Sequence, residues 1–251
     1  VFLERRGDEM SNRMRIPATI VALGLAAAVS AAAGEPIDET KKAPADGTVS
    51  IDNLIGSITV EGWEKNEVQV TGTLGEGPEG LRFDVQGDRT VIKVVWPERG
   101  GGRIDDGEET DLFVKLPRGS DVEASGVNTE ISLSGVGGEV EAETVNGSIV
   151  VKGDPESVDV ETVNGTIEVE GSSADVNAET VNGSVTIAGA RGEVSAASVN
   201  GEIEIEGGPF QTAELATVSG SIVFRGDIAG DDEFSFETHS GKVEIYLPAD
   251  I

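Results

Sequence analysis

Few side chains in this chain are equipped for chemistry. Among 251 residues there is one histidine, His239, and no cysteine. Disulfides, thiolate metal sites, a cysteine nucleophile and a lipid-modified cysteine are thereby excluded. A His-rich metal site is excluded too, and His239 sits alone in "THSGK". A polysaccharide lyase would need carboxylates clustered with Arg or Lys on one face, whereas Arg191 and Arg225 are isolated. The glycines punctuate apolar runs and do not open helices, so neither a phosphate-binding loop nor a dinucleotide fingerprint is present. The sequence reads as a protein that is not an enzyme and uses no cofactor.

Two polar residue types recur at fixed spacing instead. Asn146, Asn164, Asn182 and Asn200 stand 18 residues apart in "TVNG", "TVNG", "TVNG" and "SVNG", with Asn128 one interval before them. A row of amides could bind glycan or ice. It could equally bond to itself, each amide meeting those of the coils above and below. The glycines that follow, Gly147, Gly165, Gly183 and Gly201, then supply the positive φ of a turn. The self-bonded ladder is the preferred reading. The second recurrence is acidic: Glu143, Glu161 and Glu179 align at the same spacing, as do Glu168 with Glu204 and Glu170 with Glu206 two intervals apart. Such columns read as a solvated face or, less simply, as loose bridges for divalent cations. The chain matches neither the calcium-binding nonapeptide nor an EF-hand loop.

The elements that carry these residues are short strands. Val122, Ile131, Val140, Ile149, Val158, Ile167, Val176, Val185, Val194 and Ile203 recur every nine residues, each with an apolar partner two positions later. A spacing of two puts both side chains on one face of a strand. Strand, corner, strand and second corner therefore take 18 residues and repeat, which predicts an all-β, parallel two-sheet β-solenoid. A three-sided coil would repeat its apolar positions every six. The Asn-Gly corner keeps its length, while the opposite corner varies ("GDPES", "GSSAD", "GARGE", then "GGPFQT" and "GDIAGDDE"). In solenoids such insertions gather on one edge, often the binding edge. Phe210 is the one aromatic in that corner that hints at a glycan site.

Lys and Arg number 18 and Asp and Glu 47, a net charge of -29. Phosphate binding needs a basic footprint, so nucleic acid is a poor partner. Residues 1–33 read as upstream residues plus a secretory leader. Met10 precedes Arg13 and Arg15, an apolar run fills 16–29, and "AAA" at 31–33 offers a cleavage site before Gly34. No membrane span is expected after its removal. Residues 34–47 read as a flexible linker, 48–120 as irregular N-terminal coils with Trp63 and Trp96 helping to cap the end, and 121–251 as the regular repeats.

The opening "GSITVEGWEKNEVQV", the "LP" at Leu116-Pro117 and the run of "TVNGSI" corners resemble the bacterial β-strand-repeat family called putative adhesins, a domain family of unknown function. The resemblance covers 48–251. It implies a right-handed parallel solenoid in a bacterial envelope setting, and it brings no catalytic residues. The corner departs from the pattern at Asn128-Thr129, Ser219-Gly220 and Ser240-Gly241. The reading is an exported, non-enzymatic surface adhesin or envelope scaffold with a protein or glycan ligand. The alternative is a carbohydrate-binding or -cleaving β-helix.

Overall fold

In the computed structural model the described residues are 34–97, 109–171, 175–229 and 233–248, and all their regular elements are strands. The leader assigned to 10–33 lies outside them, as do parts of the 97–110 loop and of two variable corners. The N-terminal strands are β1 (Glu35–Lys42), β2 (Thr48–Trp63), β3 (Glu67–Leu74), β4 (Gly80–Gln86), β5 (Arg89–Val95) and β6 (Thr110–Pro117). The repeats follow as β7 (Asp121–Ser134), β8 (Glu139–Asn146), β9 (Ile149–Lys152), β10 (Ser157–Asn164), β11 (Ile167–Glu170) and β12 (Asp175–Asn182). The last are β13 (Val185–Ala188), β14 (Gly192–Asn200), β15 (Ile203–Ser219), β16 (Ile222–Ile228), β17 (Phe234–Ser240) and β18 (Val243–Tyr246).

The repeats stack in parallel as two ladders. On one face Ala124, Ala142, Val160, Ala178, Ala196, Leu215 and Phe236 stand in register through β7, β8, β10, β12, β14, β15 and β17. On the other, Leu133, Val151, Val169, Ile187, Ile205, Phe224 and Ile245 do so through β7, β9, β11, β13, β15, β16 and β18. Of these, Ala124 to Leu215 and Leu133 to Phe224 are at most 3% exposed. The alternation of β8, with every second side chain buried, shows why the sequence settles here: one face of each strand has Val and Ala to bury, and the other has Glu. The solenoid predicted from the nine-residue interval is the fold found. Asn200 pairs with Ser219 and Ser219 with Ser240, and the surplus residues fall in the variable corner.

The N-terminal region is only partly a stack of coils. β2 runs parallel to β7 along nearly its whole length, and β5 and β6 lie parallel to its other edge. The stack is thus not in chain order. Beyond β5 and β6 the pairing turns antiparallel, β4 on β5, β3 on β6, and β1 on β3. Residues 34–47 are therefore not a flexible linker: Glu35–Lys42 pair residue by residue with Glu67–Leu74. Antiparallel neighbours break the coil rhythm and leave a charged outer strand, "EPIDETKK", which resists further pairing. Trp63 Nε1 donates to the Glu67 carbonyl at 2.8 Å, and Trp96 packs half-buried against the core.

Candidate functional site

The Asn-Gly corner is built as a hydrogen-bonded stack. Asn146 Nδ2 donates to Asn128 Oδ1 at 2.7 Å, Asn164 to Asn146 at 2.8 Å, Asn182 to Asn164 at 2.9 Å and Asn200 to Asn182 at 2.9 Å. The glycines beside them serve a different purpose from the one the turn suggested. Gly147, Gly165, Gly183 and Gly201 are not among the positive-φ residues; in these coils the opposite corner has them, at Gly153, Gly171 and Gly189 among others. What demands glycine is close approach. A Cβ on Gly147 would lie 2.1 Å from the Thr129 carbonyl oxygen, and on Gly183 1.9 Å from that of Gly165. Gly201 has the same crowding against Gly183, at 1.8 Å.

Asn164 both gives and accepts an amide bond, whereas Asn200 only gives one to Asn182. An intramolecular hydrogen bond contributes about 0.5–1.5 kcal/mol net. Losing two such bonds, Asn164→Ala is therefore expected to cost about 1–3 kcal/mol in urea denaturation, and Asn200→Ala about half as much. Equal costs would mean that the stack is not what stabilises the corner.

Beside this corner lies a feature that the sequence reading passed over. Val145, Val163, Val181, Val199 and Val218 are 39–48% exposed and stand one per coil. They form one wall of a groove of about 880 Å³ running along the solenoid. The opposite rail is Glu143, Glu161 and Glu179, then Ala197, Ala216 and Glu237. The floor is Thr144, Thr162, Thr180, Ser198 and Thr217, 4–6% exposed. Their hydroxyls are engaged inward, Thr162 donating to the Gly147 carbonyl at 3.0 Å and Ser198 to that of Gly183 at 3.0 Å. The signal was in the alternation: Ala142 in, Glu143 out, Thr144 in must be followed by Val145 out.

The predicted Glu column is in register, Glu161 pairing with Glu143 and Glu179. It does not gather into a metal centre: among the described residues no group of three or more His, Asp or Glu is placed to hold an ion. Partial burial, then the neighbouring Glu179 and Glu143, pushes the Glu161 carboxyl above its ordinary value of 4.5. The folded chain then binds the proton more readily than the unfolded one, so stability falls as pH rises through this interval. The penalty is in full force at neutral pH and fades as pH drops toward 4.5. Glu161→Gln is expected to raise the melting temperature at pH 7 and to have little effect at pH 4. An equal effect at both would show that ionisation of the Glu161 carboxyl is not the cause. On the outer face Glu168 and Glu170 flank Lys152, at 3.6 and 2.8 Å, and Lys152 holds Glu170 below the ordinary value. Glu204 pairs with Arg225, whose guanidinium also lies 5.2 Å from the Tyr246 ring centre. Glu206 stands two coils from Glu170, with Ala188 between them.

His239 is exposed at the end of the groove, and Arg191 is exposed and has no ion pair among the described residues. Phe210 is fully buried, which corrects its reading as an exposed glycan platform.

Stacked parallel coils with a continuous groove and a self-bonded corner define a β-solenoid repeat protein. The chain belongs to the Toastrack DUF4097 family, whose profile matches residues 50–250. It is similar in fold to a putative adhesin from Bacteroides fragilis NCTC 9343, with TM-score 0.55 and 15% identity over 85% of this chain and 97% of that one. A putative adhesin from Parabacteroides distasonis ATCC 8503 gives TM-score 0.51 and 15% identity over 84% and 97%. No curated protein matches the chain.

Proposed function

We propose that the protein is exported and acts without catalysis, as a surface adhesin or cell-envelope scaffold that binds a protein or glycan ligand. The observation that carries this reading is the groove. A monomeric protein rarely leaves a contiguous apolar row in water unless something covers it, and here five exposed valines recur at one position per coil. The groove offers apolar contact and carboxylates, with no nucleophile and base set against each other. The leader sequence at 10–33 supports export, and the net charge of -29 disfavours nucleic acid. Fractionation of the native cells with mass spectrometry of the N-terminus provides the test. A chain beginning near Gly34 in the envelope or external fraction is the expected result. A chain that keeps its leader in the cytosol overturns the proposal.

A further inference from the structure

We propose that the groove takes an extended, lysine- or arginine-bearing protein segment in the polyproline-II conformation, an inference that rests on the binding role proposed above. The groove passes Ser125, Glu143, Glu161, Glu179, Ala197, Ala216 and Glu237, one position per coil. With neighbouring strands about 4.8 Å apart, that is a length of about 29 Å. A single extended chain of about nine residues in polyproline II, about 28 Å long, spans it.

The fold spends its few cations elsewhere: Lys115 on Glu61, Arg89 on Glu123, Lys152 on Glu168 and Glu170, Arg225 on Glu204. Among the described residues Glu143, Glu161 and Glu179 have no ion pair, although they stand side by side in register. A row of mutually repelling carboxylates beside exposed valines is complementary to a segment that carries cations on one side and apolar rings on the other. The same row, with the overall charge of -29, repels a second copy of this chain. Where the rail changes to Ala197 and Ala216 the groove becomes uncharged. The segment's cations therefore lie mainly against Glu143, Glu161 and Glu179.

Polyproline II advances about 3.1 Å per residue with three residues per turn, so its like side chains recur every 9.3 Å or so. Two coils advance about 9.6 Å. Every third residue thus keeps step with Glu143 and Glu179. A β-strand's like side chains recur every ~6.7 Å, between one coil and two, and drift out of step. The groove lies on a sheet face where the backbone is already paired coil to coil and the floor hydroxyls are engaged. It cannot add a strand, whereas polyproline II needs no backbone partner.

Fluorescence anisotropy on the whole chain tests this with a labelled (Lys-Pro-Pro)3 peptide, about 28 Å long when extended. Its comparison is a peptide of the same composition with the three lysines contiguous. The periodic peptide is expected to bind at least tenfold more tightly. Val163→Lys, and Glu161→Gln with Glu179→Gln, should each weaken it at least tenfold while melting remains cooperative. Glu130→Gln with Glu206→Gln, the same charge change on exposed residues outside the groove, should leave it unchanged. Equal binding of the two peptides, equal loss in the outside pair, or no binding at low salt overturns the proposal. So does a neutral oligosaccharide that binds instead and is lost in Val163→Lys. Failure of peptide binding by a protein still found in the envelope sinks the groove's ligand alone, while a cytosolic protein that binds the peptide sinks the export reading alone.

Discussion

Gly165→Ala is expected to lower the stability of the solenoid by about 3 kcal/mol or more, the upper end of what overpacking costs. The added Cβ would lie 1.9 Å from the Gly147 carbonyl oxygen and 2.6 Å from its carbon. Both are backbone atoms, so no side chain can swing aside. The coil cannot move away locally either. Gly165 N–H donates to the Asn182 carbonyl on its other side, and Asn164 is bonded to Asn146 and Asn182. Relief means breaking the corner stack. A second glycine isolates the cause: Gly87 has φ +65° and nothing within 4 Å of where a Cβ would stand. Gly87→Ala should cost only the left-handed penalty, about 1 kcal/mol. Urea denaturation of the two variants decides it. Similar losses would mean that close coil approach is not what selects glycine in the Asn-Gly corner.

This distinction marks the boundary of what could be read from the sequence. The apolar interval of nine was enough for the two-ladder solenoid, because inward and outward positions alternate strictly and the coil length hardly varies. The amide row was legible for the same reason. The role of Gly165 was not, because a turn glycine and a crowded glycine look alike until the distance to the next coil is known. The N-terminal end was hidden by its composition. In "EPIDETKK" only Ile37 packs against the core, so β1 carries almost no period to detect. The placement of β2 beside β7, with β5 and β6 on its far edge, is a long-range pairing that no local pattern encodes. The valine wall could have been found. Val145 falls on the outward parity of its strand, and an apolar residue repeated there in every coil is the anomaly.

Phe224→Ala is expected to cost about 3–5 kcal/mol, the usual range for a fully buried phenylalanine. Through most of the stack the core is aliphatic, with Val169 or Ile187 on one face and Val160 or Ala178 on the other. The C-terminal coils are longer, Asn200 to Ser219 and then Ser219 to Ser240. Here the filling changes to rings. Phe224 is fully buried at the centre, with ring centres of Phe210, Phe236 and Phe234 at 5.4, 5.2 and 6.3 Å. Truncating it leaves a cavity that three rigid rings cannot close. Phe236, only half-buried, should cost less when cut to Ala. The loss should also be local at first. Val243 and Ile245 continue the inward columns yet are 36% and 47% exposed, so the last coil has little burial of its own to hold it. In Phe224→Ala, hydrogen exchange should accelerate in 222–246 before it does in 140–205. Uniform acceleration along the stack would show that the rings do not act as a plug for the C-terminal coils and that the solenoid unfolds as one unit.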